Sequence, residues 1–160
     1  MFTVKRAALA AVLLSVGGSA HALEFNITIE NLGPQPLSPV FFAAGNSSFD
    51  SFTAGQAASA EIEAIAEGGN VAPMVALAES EKLSGNVLSY AVAGGAPIMP
   101  GNNQMITLDA DEAHRWLSFA SMLGITNDGF IGSAVGENDF QIDLFNNGNP
   151  LSANFTISFL

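Results

Sequence analysis

Residues 115–123, Arg-Trp-Leu-Ser-Phe-Ala-Ser-Met-Leu, form a strand-length run that is apolar on both faces. Trp116, Ala120 and Met122 fall on one side, and Leu117, Phe119 and Leu123 on the other. A strand of this kind has no face to give to water, so it must be central and covered twice. A different signal comes from residues 24–32, where Phe25, Ile27 and Ile29 alternate with Asn26, Thr28 and Glu30. Period two marks a half-buried strand with one wet face. Further strands are expected at 39–44, 87–93, 104–108, 140–145 and 154–160. Gly94-Gly95, Pro100-Gly101, Asn127-Asp128-Gly129 and Asn146-Asn147-Gly148 separate several of them.

Between the second and third strands the periodicity changes. In 55–69, Ala58, Ile62, Ile65 and Ala66 share one helical face while Glu61, Glu63 and Glu67 point away, and Gly68-Gly69 supplies the stop. Asn70 can cap a second helix, with Pro73 in its first turn, Met74, Leu77 and Ala78 inward, and Lys82 and Gly85 at its end. About seven strands without a strand-helix-strand rhythm predict a mainly β fold, an antiparallel β-sandwich with two short helices inserted. No internal repeat interrupts this plan.

The first 22 residues carry a targeting pattern. Lys5 and Arg6 precede the apolar run Ala7–Val16, and Ala20-His21-Ala22 reads as a small-x-small cleavage site. The run is too short to span a bilayer. We therefore expect a leader over 1–22 and one domain over 23–160, exported to the periplasm or the cell exterior. Processing leaves Lys82 and Arg115 against 15 acidic residues, taking the net charge from −11 to 2 − 15 = −13. Such a chain repels nucleic acid and anionic head groups and favours cations. It has no cysteine, which removes disulfides, thiolate metal sites and cysteine nucleophiles.

Catalytic patterns are sparse. His114 is the one histidine left after processing, no G-x-S-x-G elbow is present, and no phosphate-binding glycine loop appears. His114, among Asp109, Asp111 and Glu112, is expected to be a solvated loop residue. Oxygen-rich turns are the stronger chemical signal, because calcium takes six to eight oxygens from carboxylates, amides and carbonyls. Asn127-Asp128 offers one such turn, and Glu137-Asn138-Asp139, Asp143 and Asn146-Asn147 offer further ligands. The same Asn-Asp-Gly and Asn-Asn-Gly triplets also make metal-free hairpin turns. Two other readings compete with a binding module. One is a small outer-membrane barrel, suggested by the alternating C-terminal segment FTISFL. The other is a hydrolase built on a carboxylate pair such as Asp109 and Asp128.

Four ordered segments narrow the choice: ITIENL (27–32) with QPLSPV (35–40), GQAASAEIEAIAEGG (55–69), Pro100-Gly101, and LSFASMLGITNDGF (117–130). Together they resemble the spondin N-terminal domain family over residues 27 to about 132. The resemblance implies a β-sandwich with helical insertions and a calcium ion at one end, with Asp128 in a metal-binding role. Past Asp143 the chain runs shorter than that family's pattern, with asparagines where an acidic loop is expected. The candidate calcium ligands are Asp128, Asn127, Asp143 and Asn147. Glu61 and Glu67 match family helix positions and read as a solvated face; Trp116 and Phe119 read as core. The expected function is a non-enzymatic recognition or adhesion module with an extracellular or cell-surface partner.

Overall fold

The structure, a computed structural model, describes residues 2–6, 21–133 and 141–160. The apolar run of the expected leader and the Glu137-Asn138-Asp139 group lie outside the described residues. Strands β1 (Phe2–Arg6), β2 (Leu23–Asn31) and β3 (Val40–Gly45) precede helices α1 (Ala60–Gly68) and α2 (Ala72–Leu83). Then follow β4 (Val87–Ala93), β5 (Asn103–Ala110), β6 (Trp116–Met122), β7 (Phe130–Ser133), β8 (Ile142–Asp143), β9 (Phe145–Asn146), β10 (Asn149–Pro150) and β11 (Asn154–Phe159).

Two sheets face each other. One has the order β1-β11-β2-β5, and the other β4-β3-β6-β7, with β8 also paired to β6. Their facing sides form the main core. Phe25, Ile27, Ile29, Leu108, Phe155 and Ile157 come from the first sheet, and Val40, Phe42, Leu117 and Phe119 from the second. Phe42 stacks on Phe119 at 5.8 Å between ring centroids. The outer side of the second sheet needs its own cover. There Phe41, Ala43 and Ala120 pack against Ile62, Ile65, Met74 and Ala78 of the helices. β6 is thus covered on both faces, as its composition requires, and β3 is buried along its whole length. The result is a β-sandwich with a helical layer on one sheet. Among the described residues the two sheets remain open, ending in separate edge strands, and do not close into a barrel. Among the described residues no helix is long and apolar enough to cross a membrane.

Local chemistry sets the helix ends. The Ser59 hydroxyl accepts the Ile62 N–H and opens α1. Gly69 closes it in the left-handed region (φ 62°), its N–H bonded to the Ile65 carbonyl while that of Asn70 reaches Ala64. Asn70 Oδ1 accepts the Ala72 N–H at the start of α2.

Two features depart from the expected all-antiparallel sandwich. β11 runs parallel to β2, from Asn154 opposite Asn26 to Phe159 opposite Asn31. The cause lies in the β9–β10 hairpin and residues 151–153, which bring the chain back to where β2 begins; there Asn26 N–H donates to the Ala153 carbonyl. The segment 140–145 is also not one strand. Within the described residues it divides into β8 and β9, which join different partners.

Candidate functional site

The family-like segments converge at the end of the sandwich where β2 and β6 finish. Asn31, fully buried, organises it. Its side-chain amide donates to the Gln35 carbonyl (2.9 Å) and the Ile98 carbonyl (2.7 Å), and its Oδ1 accepts the Gly33 N–H. Its backbone bonds Asn102 and Gly101, fixing the Pro100-Gly101 turn. Every polar group of this buried side chain is therefore engaged, as burial demands. Ser38 and Ser121 form a second buried knot, with hydroxyls 3.2 Å apart. Ser38 Oγ also accepts the Met122 N–H, and Ser121 Oγ donates to the Ser38 carbonyl. Gly69 presses against Ser38 from α1. Sequence reasoning read the serines only as parts of a pattern; their work is to hold the two chain segments together.

From this base projects the loop 123–129. The Leu123 N–H donates to the Gly129 carbonyl (2.8 Å), closing its neck. Thr126 Oγ1 donates to the Leu123 carbonyl and accepts the Gly129 N–H. Gly124 N–H bonds the Pro36 carbonyl and Ile125 N–H bonds Gln35 Oε1, so the loop is stapled to its neighbour. Asn127 and Asp128 are exposed at the tip, in contact with each other at 3.4 Å (Asn127 Nδ2 to Asp128 Oδ2). A carboxylate is thus presented to solvent on an ordered turn.

A cleft opens on each side. One, of about 330 Å³, is lined by Pro36, Pro39, Pro97, Met99, Met122 and Gly124. Met99 and Ile125 beside it are 51 % and 73 % exposed. The other, of about 420 Å³, is lined by Phe52, Thr53, Glu61, Ile62, Leu77 and Phe130. Phe52 and Phe130 meet edge to face at 5.1 Å on its wall.

Asp143 and Asn147 do not join Asp128. Asp143 pairs with Trp116 at the start of β6, whereas the 123–129 loop follows its last residue, Met122. Six residue steps of strand, about 20 Å, separate the two positions. Asp143 is moreover held by Arg115, through Nε to Oδ1 (2.8 Å) and Nη2 to Oδ2 (2.6 Å). Arg115 also reaches Glu112 and the Phe145 carbonyl. Hydrogen bonding to Asp143 raises the Arg115 pKa. Asn147, with φ 49°, and Gly148, with φ 78°, form the two-residue turn between β9 and β10. Asn147 therefore has a backbone role. Asn127 and Asp128 stand together, whereas Asp143 belongs to a structural clamp at the opposite end of β6 and Asn147 to the β9–β10 turn. Among the described residues no three acidic or histidine side chains form a metal cluster.

The proposed carboxylate pair fares similarly. Asp109 lies opposite Glu24 at the start of β2, the far end from Asp128. His114 is not a solvated loop residue but belongs to a 3-10 turn and is only 17 % exposed. Its Nδ1 lies 2.8 Å from Asp111 Oδ1 and its Nε2 3.0 Å from the Gly85 carbonyl, tying the α2–β4 connection to the 111–115 turn.

A family model described as Spondin_N matches residues 28–137. No curated protein matches the chain. The matched segment takes in the end of β2 from Thr28, β3 through β7, both helices, the Asn31 and Ser38–Ser121 knots and the whole 123–129 loop. With well over half its length matched, and its motif residues gathered at one end of a β-sandwich, the chain belongs to the spondin N-terminal domain family.

Proposed function

We propose that the chain is an exported, non-enzymatic recognition or adhesion module that meets its partner with the 123–129 end of the sandwich. One observation carries this reading: an apolar cleft of Pro36, Pro97, Met99 and Met122 lies beside an ordered loop that exposes Ile125 and a carboxylate. Exposed apolar surface beside polar groups is the usual composition of a contact surface. The polar residues behind it support the reading. Asn31, Ser38 and Ser121 are engaged in fixing backbone, as a rigid platform requires. The test uses beads coated with the processed protein on the cells that produce it. Met99→Asp and Ile125→Asp should abolish bead attachment while leaving the melting curve unchanged; undiminished attachment by both variants overturns the reading.

Calcium enters through the Asn127–Asp128 turn alone. Asp143 and Asn147 do not fit the same ion, because they sit at the other end and Asp143 is already paired. One carboxylate and one amide at an exposed tip suit a weak site, in the roughly 10⁻⁴–10⁻³ M range of extracellular calcium modules. When bound, the ion would brace the loop tip by charge neutralisation. Titration with millimolar calcium should raise the melting temperature of the wild type more than that of Asp128→Ala. Equal responses exclude the site.

A further inference from the structure

We propose that removal of the leader uncovers the edge of β11, and that this edge then pairs with β11 of a second copy. The inference rests on the export reading above. The carbonyls of Ala153 and Phe159 accept the N–H groups of Asn26 in β2 and of Leu32 just after it. Strand alternation therefore turns the odd-numbered residues of β11 toward β2 and Asn154, Thr156 and Ser158 toward the outer edge. In the full chain β1 occupies that edge, antiparallel, with Thr3 opposite Ser158 and Lys5 opposite Thr156. Cleavage after Ala22 takes this strand away.

What remains is suited to its own copy. The outward N–H and C=O of Asn154 are met by Ser152 Oγ, which accepts from one and donates to the other. Among the described residues Thr156 and Ser158 have no such substitute, so four backbone groups per chain lose their partners. A two-fold axis at Ile157 satisfies all of them. It sets Thr156 opposite Ser158 of the second copy and Ser158 opposite Thr156, each pair exchanging two hydrogen bonds. Phe155 then lies opposite Phe159 of the second copy on the core side, joining the two aromatic cores. No charged residue occurs in 154–159. For a processed chain of net charge −13, a charge-free edge is a place where two copies can meet without opposing carboxylates. The strand also lacks the lysine, proline or bulge that blocks edge pairing elsewhere.

A contact of one short strand is small beside the standard interface of about 1,600 Å², so the dimer should be concentration-dependent. Sedimentation should therefore compare three samples: the exported, processed chain; the full chain kept in the cytoplasm with its first 22 residues; and processed Thr156→Pro. Thr156→Pro removes an outward N–H and leaves the ladder to β2 intact. The expected result is a monomer–dimer equilibrium for the first and monomers for the other two. Added salt should strengthen the dimer by screening the acidic chains. Thr156→Glu keeps the backbone donor, adds like charge to the contact, and should also be monomeric. A processed chain that stays monomeric at all concentrations and salt levels overturns the proposal, as does a dimer that persists in both variants. Mass spectrometry distinguishes a failure of the export reading: an exported chain that retains residues 1–22 keeps its edge covered, and the proposal falls with it.

Discussion

Gly69 shows how much one residue can hold. It sits at φ 62°, where a side chain costs about 1–2 kcal/mol, and a Cβ there would stand 2.8 Å from Ser38 Cβ. Moving Ser38 strains its bonds to Ser121 and to the Met122 N–H, at the base of the 123–129 loop. Gly69→Ala should therefore destabilise by about 2 kcal/mol in urea unfolding, combining left-handed strain with that displacement. Gly68→Ala is the control, since a Cβ there meets nothing within 4 Å; a helical alanine should be neutral or slightly stabilising. Equal losses from both would remove the special role given to Gly69. Eight residues earlier, Glu61 stabilises the other end of α1. Its carboxylate pKa is lowered by the Ser59 hydroxyl first and by its own backbone N–H second. A lowered folded pKa means the contribution is present above the unfolded glutamate value, about 4.3, and is lost as pH falls through the folded one. Glu61→Gln should thus be slightly less stable than wild type at pH 7, with the gap closing as melts are taken below pH 4. A gap that widens in acid would contradict this assignment.

At the scale of elements, β3 and β6 carry the fold, because each is covered by a sheet on one side and helices on the other. Phe42 lies fully buried between the sheets and stacks on Phe119. Phe42→Ala should cost about 3–5 kcal/mol, the usual penalty for emptying a buried aromatic site. Leu83→Ala, at a position 88 % exposed, should change stability by under about 0.5 kcal/mol. Thermal melts of the pair check both, and similar losses would refute the layered core. These elements were legible because hydrophobic period directly reports the number of covered faces. That signal revealed β2, β6 and both helices from the chain alone. It failed at β7, whose Phe-Ile-Gly-Ser carries too little pattern. The glycine there is a packing requirement, since a Cβ at Gly132 would lie 2.6 Å from the Phe119 carbonyl oxygen. It failed again at Asp143, where an acidic residue looks the same in sequence whether it awaits a cation or already holds Arg115. Which end of the sandwich a loop occupies depends on strand direction, and no local pattern encodes that. Hence Asp128 and Asp143 could be grouped in sequence and stand apart in the fold.

For the whole molecule, charge is the dominant variable. With 15 acidic residues against four lysine and arginine side chains, the folded chain repels itself. Any salt will relieve part of that repulsion, so a rise in melting temperature with calcium is not by itself proof of a site. Screening and binding separate by their dependence on ion and residue. Sodium chloride and magnesium should raise the melting temperature of the wild type and of Asp128→Ala alike, because screening acts on the summed field. Calcium should add a further increment to the wild type alone. At ten times its dissociation constant a bound ion contributes about 1.4 kcal/mol, which for a domain of this size is roughly 3–6 °C. The Arg115–Asp143 clamp supplies an internal control at the opposite end of β6. Asp143→Ala should lower the melting temperature in every salt and leave the calcium increment intact. If Asp143→Ala abolishes the increment while Asp128→Ala preserves it, the ion belongs to the other end of the sandwich and the assignment to the 123–129 loop is wrong.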